Sequence, residues 1–282
     1  MTVQMAFQQL QTQLRLCYSE REATNIAHLV FEHLTGWSRT ERIIHKAVVL
    51  TTNQQFQLQR YTQELLQHRP LQYVLSEAWF AGKPFYVQEG VLIPRPETDE
   101  LVAWMLETVL PQPTTVLEVG VGSGCISIAL KLQWLQASIK ALDISDTALG
   151  IAKKNAELYK ADIDFVHMDF LNESLWPQLP LFQVIVSNPP YITEAEKAAM
   201  HPNVLQYEPE VALFVPNETP LLFYEKIAKF GKMHLTNKGY IFVEINEAYG
   251  EATKQVFLQA GYQQVILKQD AQGKDRMLLA QL

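Results

Sequence analysis

Two short stretches of the chain combine residue types that can do chemistry together. The first is Glu118-Val119-Gly120-Val121-Gly122-Ser123-Gly124. It follows the apolar run Thr114-Thr115-Val116-Leu117 and leads at once into the helical pattern Cys125-Ile126-Ser127-Ile128-Ala129-Leu130. Glycines let a backbone turn sharply and approach a ligand closely, and the helix start behind them offers unpaired N–H groups. The loop departs from the dinucleotide fingerprint, since the sixth position counted from Gly120 is Cys125, and it lacks the Gly-Lys-Ser/Thr of a nucleotide-triphosphate loop. An acid ahead of three alternating glycines remains. A carboxylate there would repel a pyrophosphate and suit a cation.

S-adenosylmethionine carries two cationic centres, a sulfonium and an ammonium. Asp143 ends the next apolar run, roughly 20 residues beyond Gly120, where a doubly wound fold places a ribose-binding acid. Asp169 closes the run after that, in Val166-His167-Met168-Asp169-Phe170. Acids after three successive strands line the ligand edge of such a sheet. Phe170 has two readings, stacking on an adenine or filling the core.

The second stretch is Asn188-Pro189-Pro190-Tyr191, directly after Phe182-Gln183-Val184-Ile185-Val186-Ser187. The nitrogen of an amide or an exocyclic amine is a poor nucleophile because its lone pair is delocalised. Two acceptors, the Asn188 side-chain oxygen and the Pro189 carbonyl, could hold its N–H groups. They would point the nitrogen at a methyl donor and favour the charge that develops on it. Two prolines stiffen such a loop, and Tyr191 would pack on the planar target. No general base is needed before transfer, because the methylated nitrogen becomes acidic enough to lose its proton afterwards.

These loops need elements to hold them. From residue 99 onward, strand patterns (114–119, 138–143, 163–168, 182–187, 239–245) alternate with helical ones (99–109, 124–135, 146–159, 220–235, 247–260). That alternation implies a mostly parallel α/β sheet covered on both faces. Two final strands, 262–268 and 276–281, have only a turn between them and must be antiparallel. Residues 1–70 are nearly free of helix breakers. Ser19 with Glu22 and Ser38 with Glu41 have capping-box spacing, and Gly36 is placed to end the helix begun near Ser19. A small helical bundle is expected there. Phe56, Tyr61, Leu65 and Leu66 suggest its last helix. Residues 71–98, with aromatics interleaved among glycines and prolines, read as a β-hairpin linker, and 99–282 as the catalytic domain.

Composition bounds the partners. With 282 residues, 48% of them hydrophobic and 19% charged, the chain can bury a sizeable core. A net charge of −7 argues against non-specific attachment to nucleic acid or anionic lipid. Two cysteines exclude a disulfide framework or a cysteine-rich zinc site, and the seven histidines show no metal spacing, so no metal is expected. Cys125 reads as a packing residue. No apolar stretch is long enough to cross a membrane and no signal-peptide pattern opens the chain, so a cytoplasmic protein is expected.

The glycine loop, Asp143, Asp169 and Asn188–Tyr191 resemble S-adenosylmethionine-dependent methyltransferases that act on planar amino groups. Further residues narrow the resemblance to the HemK-type peptide-chain release factor glutamine N5-methyltransferases. They are Phe80-Ala81-Gly82 with Phe85 and Val87, Val91-Leu92-Ile93-Pro94-Arg95-Pro96-Glu97-Thr98, Tyr207-Glu208-Pro209 with Ala212-Leu213, and the helical N-terminal segment. The resemblance implies a seven-stranded Rossmann-like sheet plus a helical docking domain. Its implied substrate is the glutamine of the Gly-Gly-Gln motif in class I release factors. It also implies that Glu118, Gly120, Val121, Gly122, Ser123, Gly124, Asp143, Asp169, Phe170 and Asn188 bind the cofactor. Asn188, Pro189, Pro190 and Tyr191 would hold the glutamine, with Phe80 walling its pocket. Arg95 is open between the cofactor carboxylate, the release-factor backbone and a structural pin. The chain departs from the family pattern at Ser76, where Gly is usual, at Thr219-Pro220, where an acid is usual, and at Glu118, where Asp is common. The alternatives are an amino methyltransferase of ribosomal RNA or DNA, or of a ribosomal-protein glutamine. A nucleic-acid target would call for a basic groove or an added recognition domain, so no direct nucleic-acid binding is expected.

Overall fold

The computed structural model describes residues 1–282, the side chain of Ala199 excepted. The chain packs as two compact units, residues 1–77 with 201–207, and residues 78–200 with 208–282.

The smaller unit contains α1 (Val3–Leu14), α2 (Glu20–Thr35), α3 (Arg39–Ile44), α4 (Thr52–Leu66) and α5 (Leu71–Leu75). Ser19 caps α2 and Gly36, at φ 70°, ends it in the left-handed conformation. Ser38 and Glu41 form a full capping box at α3, and Thr51 with Gln54 forms another at α4. Ala23, Ile26, Ala27, Val30, Phe31 and Leu34 form the buried stripe of α2 that their spacing predicts. On α4 the buried residues are Leu58, Tyr61, Thr62 and Leu65, whereas Phe56 faces solvent. Phe56 lies on the opposite side of a 3.6-residue period from Leu58, which is why the stripe looks irregular in sequence. Helix α9 (Pro202–Tyr207) belongs to this unit, where the Tyr207 hydroxyl donates to the Gln67 carbonyl at 2.8 Å.

The larger unit begins at Ala78, within the hairpin of β1 (Glu77–Phe80) and β2 (Lys83–Tyr86). Its two-residue turn puts both Ala81 and Gly82 at positive φ, as a tight hairpin turn requires. After α6 (Pro96–Thr108) come β3 (Thr115–Val119), α7 (Cys125–Gln133), β4 (Ser138–Asp143), α8 (Asp146–Tyr159), β5 (Asp164–His167) and β6 (Phe182–Ser187). The short β7 (Ile192–Thr193) and β8 (Phe214–Val215) pair in parallel with each other. Helix α10 (Leu222–His234), β9 (Leu235–Glu244), α11 (Gly250–Gln259), β10 (Gln264–Gln269) and β11 (Asp275–Gln281) complete the chain.

The main sheet has seven strands in the order β10-β11-β9-β6-β3-β4-β5. The five strands from β9 to β5 run parallel, and β11 is antiparallel to both of its neighbours, so the mostly parallel α/β sheet with a terminal antiparallel hairpin is the fold observed. Alternate residues of each strand serve opposite faces. Val116, Ile139, Val184 and Phe242 join the core formed with α6 and α7, while Leu117, Leu142, Ile185 and Val243 join the one formed with α10. The strand order reverses between β3 and β6. In a doubly wound sheet, that is where the carboxyl ends open a crevice. The two chemically suggestive loops leave from those two strands.

Candidate active site

The glycine loop wraps around the end of β4. The N–H groups of Gly120 and Val121 both donate to the Leu142 carbonyl at 2.9 Å. The Gly122 N–H donates to Asp143 Oδ2 at 2.9 Å, and the Ser145 N–H to Oδ1 at 2.9 Å. Asp143 therefore ties the loop to the start of α8 and still has lone pairs for a ligand hydroxyl. Gly120 and Gly122 adopt φ of 80° and 53°, and a Cβ at either would meet no protein atom within 4 Å. The space beside them is a cradle that the protein leaves open.

Gly124 has a different reason to be glycine. At φ 80° its Cβ would come within 3.1 Å of the Ala152 Cβ, so it permits α7 and α8 to approach. It does not line the cavity. Asn155, fully buried on α8, holds the loop from behind. Its Nδ2 donates to the Ser123 and Tyr86 carbonyls, each at 2.9 Å, and its Oδ1 accepts from the Tyr86 N–H at 2.8 Å. A buried amide with its bonds made is rigid, and this one fastens the hairpin to the ligand loop.

Glu118, Gly120, Val121, Gly122, Ser123, Asp143, Asp169, Phe170, Asn188, Pro189 and Pro190 line one cavity at the crevice. Of the remaining expected residues, Gly124, Tyr191 and Phe80 stand outside that lining. Phe80 is packed edge-on against Phe85 in the core between the sheet and α6, so it does not wall this cavity. Phe170 has a place both at the cavity and in the core. It borders the cavity and also packs on Trp176 and Phe230, with ring centroids 5.4 and 5.3 Å away. Asp169 accepts from the Leu171 N–H at 2.9 Å, which shapes the turn that presents Phe170.

Glu118 differs electrostatically from its expected role. Its carboxyl is buried and accepts from the Ser127 backbone N–H at 3.0 Å and from the Ser127 hydroxyl. Burial pushes it up to about 8, against which the two Ser127 bonds act only in part. Near pH 7 it is therefore mostly in its neutral form, in contrast to the carboxylate expected at this position. Burial likewise pushes the Cys125 thiol up to about 12, consistent with a packing residue.

Arg95 is a pin. Its guanidinium pairs with Glu208 Oε1 at 2.5 Å, and Glu208 Oε2 accepts the Ile93 N–H at 3.1 Å, which closes the cavity rim between residues 91–95 and 208–212. Asn188 donates through Nδ2 to Thr98 Oγ1 at 3.0 Å. Thr98 donates in turn to Glu244 Oε2 at 2.5 Å, and the Tyr191 hydroxyl donates to Glu244 Oε1 at 2.9 Å. Tyr191 thus supports the loop from behind and is also held at its carbonyl by Asn246 Nδ2, at 3.1 Å.

Asn155, Thr98 and Glu244 carry no assigned role in the sequence pattern. Glu244 has a signal there: it closes the apolar run Tyr240-Ile241-Phe242-Val243, as Asp143 and Asp169 close theirs. Asn155 has none, because a single Asn in a helical pattern does not disclose what it faces.

Comparison with known proteins agrees with this geometry. Residues 89–207 match the family described as methyltransferase small domain, and residues 5–75 match the PrmC N-terminal domain. The release factor glutamine methyltransferase of Flavobacterium psychrophilum is 38% identical over 93% of this chain and 92% of its own. That of Bacteroides thetaiotaomicron is 39% identical over 93% of this chain and 94% of its own. Among solved structures, a methyltransferase from Pyrococcus furiosus aligns with a TM-score of 0.51 at 15% identity, covering 82% of this chain and 98% of its own. A Thermus thermophilus 16S rRNA N2 G1207 methyltransferase, in complex with AdoMet and guanosine, aligns at 0.50 and 16% identity, covering 73% and 49%. These two likenesses speak for the fold. The sequence relatives carry the narrower conclusion: matched over 93% of its length at these identities, the chain belongs to the release factor glutamine methyltransferase family.

Proposed function

We propose that this protein transfers a methyl group from S-adenosylmethionine to the side-chain amide nitrogen of the glutamine in the Gly-Gly-Gln motif of class I release factors. The observation that carries the reading is the setting of Asn188. With Nδ2 committed to Thr98, Oδ1 is the end of the amide left to meet a ligand, at the cavity and beside the glycine loop. An acceptor is what a substrate N–H requires.

The residues fit the cofactor. The open cradle at Gly120 and Gly122 admits a group close to the backbone, and Asp143 has lone pairs for ribose hydroxyls. Phe170 presents an aromatic face to an adenine. When bound, S-adenosylmethionine supplies an electrophilic methyl group on sulfur. The chain's own part is positional. Asn188 Oδ1 and the Pro189 carbonyl accept the two amide hydrogens, hold the nitrogen in line, and favour the positive charge that grows on it. Pro189 and Pro190 limit the loop's freedom, so little ordering is required when substrate arrives. After transfer the nitrogen is acidic and gives its proton to water.

Residues 1–70 serve in this reading as the docking domain, with 71–98 as linker and 99–282 as the catalytic domain, because an amide-reading site alone cannot choose one glutamine. In the same reading the protein works in the cytoplasm and acts on the release factor without direct nucleic-acid contact. The test is label transfer from methyl-labelled S-adenosylmethionine to an unmethylated class I release factor. The same factor carrying Gln→Ala in the Gly-Gly-Gln motif, ribosomal RNA and DNA are offered in parallel. Label on the intact factor alone supports the reading, and label on nucleic acid alone, or on the Gln→Ala factor, refutes it.

A further inference from the structure

Asn188 raises a problem that its own side chain cannot solve. The two ends of an amide have nearly the same shape and opposite hydrogen-bonding character. Rotated by a half turn, Asn188 would present an NH2 group to the NH2 of its substrate, donor against donor. Something must set its polarity before substrate arrives.

We infer that Glu244, acting through Thr98, is the positioning device that sets this polarity. The inference rests on the role given to Asn188 above. The relay is directional. Both oxygens of Glu244 act as acceptors, taking the hydroxyl hydrogens of Tyr191 and Thr98 at 2.9 and 2.5 Å. With its hydrogen turned to Glu244, Thr98 has only lone pairs to offer Asn188, so Nδ2 is drawn inward at 3.0 Å and Oδ1 faces out. The same carboxylate holds the Tyr191 hydroxyl, so both ends of the Asn188–Tyr191 loop refer to one buried group.

The surroundings suit this task. Glu244 and Thr98 are buried, so water does not compete for either bond. Burial raises the Glu244 carboxyl above its ordinary range; the Thr98 and Tyr191 hydroxyls and then Arg276 favour the charged form, while Glu97 opposes it. Arg276 itself is placed by the Ile245 carbonyl, Asp270 and Glu247. The Tyr224 hydroxyl donates to the Glu244 carbonyl at 3.2 Å and fixes the backbone beneath. Three distant segments, the start of α6, the loop after β6 and the end of β9, thereby meet at one carboxylate. Neither Thr98 nor Glu244 needs to touch the transferred methyl group.

The test uses the full-length protein, unmethylated class I release factor and labelled S-adenosylmethionine, with cofactor binding followed by calorimetry. Thr98→Val keeps the shape and removes the relay, so kcat and kcat/KM should fall together by at least about tenfold, the pattern of an interaction that matters in the transition state. Cofactor affinity should stay within about twofold, and Thr98→Ser should restore turnover, a rescue expected of a hydroxyl relay. Glu244→Gln puts an amide donor where only acceptors stood and should lower turnover in the same way. In an Asn188→Ala background, Thr98→Val should cost less than about twofold more, because a residue acting only through Asn188 has nothing left to act on. Full turnover in Thr98→Val, or an undiminished further loss in the double variant, overturns the inference. So does loss of cofactor binding in Thr98→Val but not in Thr98→Ser. Wild-type label transfer runs in the same series, so failure of the glutamine reading shows separately as absence of label on the wild-type reaction.

Discussion

Glu118→Gln isolates a carboxyl that the fold holds out of water. In the folded protein burial raises this group from 4.5 to about 8. An acid raised in this way keeps its proton in the folded state over a range where the unfolded chain has released it. Its contribution to stability is complete below about 4.5 and is lost as pH rises toward 8. Each tenfold change in proton affinity is worth about 1.4 kcal/mol, so the whole window amounts to roughly 5 kcal/mol. About 3 kcal/mol of it falls between pH 5.5 and 8.5. The amide of the variant retains an oxygen to accept the Ser127 N–H and hydroxyl but cannot ionise, so this slope disappears. The assay is urea unfolding at several pH values, followed by tryptophan fluorescence. Four of the five tryptophans, Trp79, Trp104, Trp134 and Trp176, lie in the larger unit. The wild type should lose about 3 kcal/mol more than Glu118→Gln across that range. Saturating S-adenosylmethionine should shrink the gap, since a cation near the carboxyl favours its charged form. Parallel stability curves would show that Glu118 is not held protonated and would sink the argument.

Three other outcomes are expected. Asp143→Ala removes the acceptor of the Gly122 and Ser145 N–H groups, and calorimetry should show cofactor affinity falling at least tenfold, with a stability loss of about 1–3 kcal/mol. Ser76 adopts φ 56° at the end of α5, so Ser76→Gly should raise stability by up to about 1 kcal/mol, read from the unfolding midpoint; a lowered midpoint would count against strain there. Gly124→Ala combines a left-handed φ with a 3.1 Å approach to Ala152, so it should cost at least about 2 kcal/mol and weaken cofactor binding by moving the loop. Thermal unfolding equal to that of wild type would contradict this.

Ser76 shows how a departure from a family pattern becomes intelligible. The sequence displays Ser where Gly is usual, and only the backbone angle shows why Gly is usual: the chain reverses there in a conformation that a Cβ disfavours. Arg95 is a second instance. Its residue type suits an anion, and only the fold shows that Glu208 is the carboxylate beside it. Phe80 goes the other way. An aromatic near a ligand loop in sequence can face either the core or the cavity, and its packing on Phe85 settles it in the core.

Local chemistry was legible from the residues alone. Helix caps, alternating strands, the glycine turn and the stiff Asn-Pro-Pro-Tyr loop depend on neighbours a few positions apart, so spacing is enough to recognise them. The parallel sheet followed from the alternation of strands and helices, and the antiparallel end from a turn too short for a crossover. What the linear pattern could not contain was which residues from distant segments share one buried volume. Thr98, Glu244 and Asn188 lie far apart along the chain and meet only because β6 and β9 are neighbours and α6 packs across them. The insertion of β11 between β9 and β10 is likewise a matter of tertiary pairing. The protonation of Glu118 belongs to the same class, since desolvation is set by everything that surrounds a group. The sequence by itself determined which groups could react and which elements carry them. Their orientation, charge and support were decided by the tertiary structure, because hydrogen-bond direction and dielectric are properties of a three-dimensional neighbourhood.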